Sequence, residues 1–507
     1  MDENYVKFCK VVEKYDPADI NALLVICRNQ ASICDNESYE GMRNLFANIM
    51  SLSSIHIGSK RIDFNNRGHC RKLFEAIEPY LAYKYFFDRF ELSAYEKNGQ
   101  ISHHQLSYEV SSPKTYARTF VETLSFKLQP FESFLIKHYG IDLKQLAKSC
   151  HSLLKNIANP CDLNPLVTHE LTNITAYFPP TFLDDLISIN KRELRVDEVN
   201  SFSKEIRMPI VKTNNEYNVL SFEVFIDCFY TAVHRLCLSK TYQLEKNHLM
   251  NQKGQLFNDS CKIIFKDEMG FKNAYENFKY STNGENGEID LLVEDKDVLF
   301  VIECKARNYT TQISGISTTF EKANESNLDL ASTQIQKFLE LLSNRGKMTL
   351  SKGNERLTIA KEKYNYIIPL VINVTNLAEL NTDYISRNLT TLFLSFDDLK
   401  ILSDVIEKRK WLFVDFCSQF LEVLAKNPLL DDVVDIFAFY CQSKNLSLLF
   451  QEKPSVKDQL GNKCFQHYFS YQTDKNPIFE FCNDISVFNG NNYSTYKECL
   501  CGYHSKN

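Results

Sequence analysis

The chain has 507 residues, 44% of them hydrophobic and 24% charged, enough for about two to four domains that each bury a core. Its formal net charge of -6 excludes a globally basic nucleic-acid binder, so any phosphate-contacting surface has to concentrate positive charge locally. No run of about eighteen apolar residues occurs, and the opening MDENYVKFCKVVEKY has no apolar signal region, so neither a membrane span nor secretion is expected. Sixteen cysteines in no regular framework point to reduced thiols and a cytoplasmic setting.

Residues 1–205 predict a mainly helical domain. Apolar residues recur at three- and four-residue spacing over 5–15, 19–28, 69–85, 116–138 and 143–157. Breaks fall at Asp16-Pro17, Ser112-Pro113, Asn159-Pro160 and Pro179-Pro180. The aromatic run 83–90, YKYFFDRF, reads as core packing, with a base-stacking surface as the sharper alternative. No repeat and no phosphate-binding glycine loop occurs here, and this half does not disclose its function; sensing, oligomerisation or a protein partner are the candidate roles.

A connecting segment follows over 206–239. It opens with two short strands around Asn214-Asn215, and a long helix is expected over 223–249. Next come a helix over 254–266 with an apolar stripe of Leu256, Phe257, Cys261, Ile264 and Phe265, and a strand over 275–280.

The stretch 287–306, GEIDLLVEDKDVLFVIECKA, carries the chemistry. Apolar runs over 289–293 and 298–302 flank the tetrad Glu294, Asp295, Lys296 and Asp297, which is how a β-hairpin reads. Closed symmetrically over 294–297, it sets Asp290 across from Val301 and Glu288 across from Glu303. Glu288, Asp290, Glu303 and Lys305 then share one face, an outcome that depends on turn parity. Three carboxylates and a lysine on one face of an apolar hairpin repel and lose hydration, a cost that a divalent cation with hard oxygen ligands would relieve. The bland alternative is a surface hairpin with cross-strand ion pairs, against which the apolar VLFVI run argues for a central strand.

A loop through Ile316, a helix over 319–342, the near-continuous apolar run 364–374 and strand-like 392–395 before a helix over 397–406 complete an αβββαβ order across 240–410. Asp290 followed by Glu303-Cys304-Lys305 at a strand end, in that order of elements, resembles the PD-(D/E)XK nuclease superfamily, and within it the type IV restriction-like and nuclease-related group. The resemblance implies a restriction-endonuclease-like α/β core, flanked by the helical N-terminal region and a smaller helical C-terminal region over 411–507. It implies a magnesium- or manganese-dependent endonuclease acting on nucleic acid, probed first as double-stranded DNA, in a restriction or phage-defence setting. Asp290, Glu303, the Cys304 carbonyl and Glu288 would be metal ligands, and Lys305 and Gln334 would be catalytic. The group expects a glutamate on its first helix where this chain has Asn258, so Glu288 or Asp259 would have to substitute. A catalytically inactive relative that binds nucleic acid or scaffolds partners is the alternative. Cutting both strands of a duplex commonly needs two sites, which suggests a homo-oligomer.

Basic residues crowd 345–363, where Arg345, Lys347, Lys352 and Arg356 are the candidate nucleic-acid contacts and a solvated loop is the bland reading. Beyond Trp411, helices are expected over 412–425 and 431–440, then a polar, aromatic-rich tail. Its Cys464-x-x-His467 and Cys499-x-Cys501-x-x-His504 could supply zinc ligands, but the Cys-x-Cys spacing is atypical, no second Cys-x-x-Cys supports it, and free thiols are expected.

Overall fold

The computed structural model describes residues 2–30, 36–97, 124–156, 173–190, 194–199, 208–239, 243–306, 318–374 and 391–426, less 125, 221, 283–284 and 407, together with parts of 433–447. The chain divides into two compact units, whose described residues run up to Gln243 in the first and from Leu244 in the second. Mixed α/β overall, it has twelve α-helices and a seven-stranded mixed sheet among the described residues. The candidate tail ligands from Cys464 to His504 lie outside the described residues.

In the first unit, α1 (Asp2–Val12), α2 (Pro17–Gln30), α3 (Asn36–Leu52) and α4 (Arg67–Lys97) pack around Phe8, Val12, Leu45, Phe46, Ile77 and Leu81. Pro17 opens α2, where its missing N–H costs nothing, and the Asp16 carboxylate accepts the Ala18 N–H. The aromatic run on α4 only partly follows the core reading. Tyr85 is buried, but Tyr83, Phe86, Phe87 and Phe90 are exposed, Phe90 by 73%. Five aromatic residues within eight positions, three of them consecutive, cannot all face one side of a helix.

The helix expected over 116–138 is interrupted where it is described. A 3₁₀ turn, Gln129–Phe131, precedes α5 (Glu132–Tyr139), because Pro130 cannot donate to the helix ladder. Following it are α6 (Leu143–Asn156), α7 (Pro180–Asn190) and the hairpin β1 (Ile210–Thr213) and β2 (Glu216–Val219). Its turn is Asn214-Asn215 as expected, both residues at positive φ, the conformation that two-residue hairpin loops require. Helix is described over Phe222–Ser239 (α8) and again over Gln243–Ile263 (α9), which carries Gly254 in its interior rather than at its start.

The second unit is built on one sheet, whose strands are β3 (Asn273–Thr282), β4 (Glu285–Asp295), β5 (Val298–Lys305), β6 (Lys347–Lys352), β7 (Glu355–Ala360), β8 (Tyr366–Asn373) and β9 (Leu392–Ser395). Their order is β7-β6-β3-β4-β5-β8-β9, antiparallel from β7 to β5 and parallel from β5 to β9. Parallel β5 and β8 need a crossover, supplied by α10 (Thr318–Arg345) and the β6–β7 hairpin. α10 covers one face, with Ala331, Ile335, Phe338 and Leu342 buried. On the other face Phe300 of β5 meets Phe265 and Phe271, and stacks on Phe413 of α12 (Lys410–Lys426). α11 (Phe396–Ile406) follows β9, its first turn capped by a reciprocal pair in which Asp398 accepts the Ser395 N–H and Ser395 Oγ accepts the Asp398 N–H.

Two sequence expectations are corrected here. The β4–β5 turn is Lys296-Asp297 alone, with Lys296 left-handed at φ 50°, so Asp295 pairs with Val298 and Leu291 with Ile302. Glu294 and Asp295 belong to the strand because each has a cation, Glu294 being bonded by Lys363 and Tyr364 and Asp295 by Lys410. The register therefore moves by two residues, an even shift that leaves side-chain parity intact. The basic segment is not a loop: β6 and β7 form a hairpin around Gly353, at φ 58°, and extend the sheet beyond β3 through the Lys279–Ser351 pair.

Candidate active site

Continuing the β4–β5 register one step beyond Leu291–Ile302 sets Asp290 directly across from Glu303. The ladder stops there, and the Asp290 Oδ2 accepts the Cys304 N–H at 2.9 Å. The N–H and C=O of one extended residue point to the same edge of the strand, so the Cys304 carbonyl shares the edge that Asp290 occupies. The Cys304 side chain turns to the opposite face, toward Cys261 of α9, and burial raises its pKa.

Glu303 is 1% exposed and sits at the end of a central strand. Its Oε2 accepts from Lys305 Nζ at 2.8 Å, while no donor among the described residues reaches its buried Oε1. Burial pushes the Glu303 carboxyl up to about 8, the charge of the neighbouring Asp290 adds to the rise, and Lys305 offsets only part of the total. By register and by the Asp290–Cys304 hydrogen bond, the two carboxyl groups occupy facing positions at the end of the strand pair. For Lys305, burial opposes the charge, but Glu303 and Asp290 outweigh it and the pKa is raised. Lys305 Nζ also donates to Gln334 Oε1 of α10 at 3.2 Å.

Asp290, Glu303, Lys305 and Gln334 therefore come together as the sequence predicts. Glu288 does not join them: it is a half-exposed residue that faces Lys279 across the strand pair at 3.6 Å. Nor does the first-helix position. Asn258 is buried and donates to Asn277 Oδ1 at 2.9 Å, holding a left-handed residue, φ 56°, at the row where β3 and β4 skip a pair. Asp259 shares a hydrogen bond with Glu276, which raises its pKa to about 6, and Lys262 and Lys352 flank the pair. Among the described residues no three His, Cys, Asp or Glu side chains cluster as a ready-made metal site. The donor set that a hard cation would meet is two carboxylates and one backbone carbonyl. That set suits magnesium or manganese, and the orphaned Glu303 oxygen is the kind of atom such an ion would satisfy.

Two features of the site escape the sequence. Tyr280, buried against Phe338 of α10, has its pKa raised by burial and by the charge of Glu303. Gly287 makes room for it, since a Cβ there would stand 2.2 Å from the tyrosine oxygen. The second is Asn373 at the end of β8, in register with Lys305.

The candidate nucleic-acid residues divide along the β6–β7 hairpin. Lys352 and Arg356 lie near the Lys279–Ser351 pair, at the end of the sheet that holds Glu288 and Asp290. Lys347 is four residues away along β6, about 13 Å, and Arg345 lies farther still. Arg356 is exposed, whereas Lys352 is engaged by Glu276 at 3.2 Å. No described helix is long and apolar enough to cross a membrane. Set against known proteins, the chain matches no family model, no curated protein and no solved structure.

Proposed function

We propose that the second unit is a metal-dependent nuclease domain of the PD-(D/E)XK type, hydrolysing phosphodiester bonds in nucleic acid, with double-stranded DNA as the substrate to test first. One observation carries the reading: Asp290 and Glu303 meet at a strand end beside Lys305, with a buried Glu303 oxygen that no described donor satisfies. The order α9-β3-β4-β5-α10-β8, with the motif at the end of the β4–β5 pair, supports it as well.

Asp290, Glu303 and the Cys304 carbonyl are the groups that would hold magnesium or manganese. Bound there, the ion would supply Lewis-acid polarisation of the phosphate. Lys305 would donate to the attacking water and offset charge on the phosphate, and Gln334 would hold the ammonium in place. In the hydrolysis the water oxygen joins phosphorus, the ester P–O bond breaks, and the departing oxygen takes a proton. Arg356 and Lys352 would contact the duplex at the same end of the sheet. A homo-oligomer would bring two such sites to the two strands, the helical first unit would serve sensing or protein contacts, and a cytoplasmic restriction or phage-defence role is the setting that the resemblance implies.

The second reading, a non-cleaving nucleic-acid-binding or scaffold module, draws on a specific observation: Asn258 is tied to Asn277, and no acid from the first helix reaches the pair. Plasmid cleavage in magnesium, manganese or EDTA separates the two. The nuclease reading requires metal-dependent cutting that Asp290→Ala and Lys305→Ala both abolish, and cutting that survives either change would defeat the assignment.

A further inference from the structure

β8 reads YIIPLVIN, and Asn373 ends it where the rest of the strand's second half is apolar. The side chain is 0% exposed, and neither its Oδ1 nor its Nδ2 has a hydrogen-bond partner among the described residues. A buried amide without partners destabilises a fold, and a valine would pack the same strand without that cost. Its position is informative. In the parallel β5–β8 ladder Asn373 is the register partner of Lys305, so the two side chains share the face that α10 covers, on strands about 4.8 Å apart. Both lie at the carboxyl ends of parallel strands, where open α/β sheets place their ligands.

Lys305 has a matching deficit. An ammonium has three donors, and two are assigned, to Glu303 Oε2 and Gln334 Oε1. Among the described residues, the third donor and both amide atoms of Asn373 are left at neighbouring positions on one face. A fully buried amide admits only a small polar guest. Water has the matching chemistry: it can accept from the ammonium and donate to Oδ1 while keeping a lone pair for reaction.

We propose that Asn373 is a further member of the active site, which together with Lys305 holds the water that attacks the phosphodiester. The assignment rests on the nuclease reading, and its test uses a near-isosteric pair. Asn373→Val removes the polar atoms but keeps a strand-favouring shape, and Asn373→Thr restores a hydroxyl in almost the same volume. In the full chain the valine variant is expected to melt no lower than wild type and to lose about ten- to a hundredfold in kcat on a magnesium-activated duplex, with KM unchanged. Threonine should recover kcat to within about threefold of wild type, a rescue that a packing role does not predict. A high-resolution crystal structure should show an ordered water between Lys305 Nζ and residue 373 in wild type and not in the valine variant. Equal kcat in wild type and Asn373→Val, equal losses in valine and threonine, or no such water would each overturn the assignment. If valine unfolds the chain, threonine alone decides it: near-normal kcat with the bridging water upholds the assignment, and a fold without that water overturns it. A wild-type chain that cuts no duplex with either metal would instead sink the nuclease reading, and the role of this water with it.

Discussion

Replacing Glu303 by glutamine should remove most of the pH dependence of stability in the sheet-bearing unit between about pH 5 and 8. The glutamate carboxyl is raised from 4.5 to about 8, mainly by burial and then by Asp290. Between those values the folded state keeps a proton that the unfolded chain has released, so wild-type stability falls as pH rises from about 4.5 to about 8 and levels off above. At about 1.4 kcal/mol per unit, the ceiling on that loss is about 4 to 5 kcal/mol, a sizeable part of the total stability of a typical domain. Lys305 adds no slope in this window, because a raised lysine pKa contributes stability that persists until the pH reaches the lysine range. The titrations of Asp259 and Glu276 are common to wild type and variant and cancel in the difference. The chain has a single tryptophan, Trp411 on α12, in the same unit, so its fluorescence reports the relevant unfolding transition. In EDTA, urea midpoints of wild type should drop between pH 5 and 8.5, while Glu303→Gln keeps only the loss that Asp259 contributes below about pH 6 and becomes the more stable protein at pH 8.5. Parallel pH profiles for the two would refute the buried, proton-holding carboxyl.

Asn258→Ala should cost about 1 to 2 kcal/mol by leaving the Asn277 Oδ1 without its donor, yet keep metal-dependent cleavage, as measured by Trp411 unfolding and plasmid nicking side by side. Loss of cleavage in a folded variant would instead put Asn258 in the site. Arg356→Ala should weaken binding of a labelled duplex in EDTA more than Arg345→Ala does, and should flatten its salt dependence, because Arg356 lies toward the carboxylate end of the sheet and Arg345 beyond the other end of the hairpin. Equal effects in a fluorescence anisotropy titration would remove the orientation proposed for the duplex.

The β4–β5 hairpin was legible because alternation and turn signals are local, and face-sharing of Asp290, Glu303 and Lys305 survived a wrong loop length because the error was even. The loop length itself was not legible. Placing Glu294 and Asp295 in the strand depends on Lys363, Tyr364 and Lys410, partners about 70 to 115 residues away. The β6–β7 hairpin was hidden by its charge: Lys347 and Arg356 are the solvent face of strands whose inner face is Met348, Leu350 and Ile359, and the Gly353-Asn354 turn was the available sign. Glu288 shows the opposite limit. Beyond the unpaired Asn277–Asp290 row the alternation is interrupted: Tyr280 and its partner Gly287 face α10, so Glu288 meets Lys279 on the opposite side of the sheet from Glu303. Asn373 reads only as the end of an apolar run until the parallel register sets it beside Lys305.

The central claim is that the carboxylates of Asp290 and Glu303 share one cation, and manganese binding followed by electron paramagnetic resonance tests it most directly. Wild type at pH 8 should bind manganese in competition with magnesium, and Asp290→Asn and Glu303→Gln should each abolish that binding in a chain that remains folded. Manganese binding that is unchanged in both variants would contradict the account.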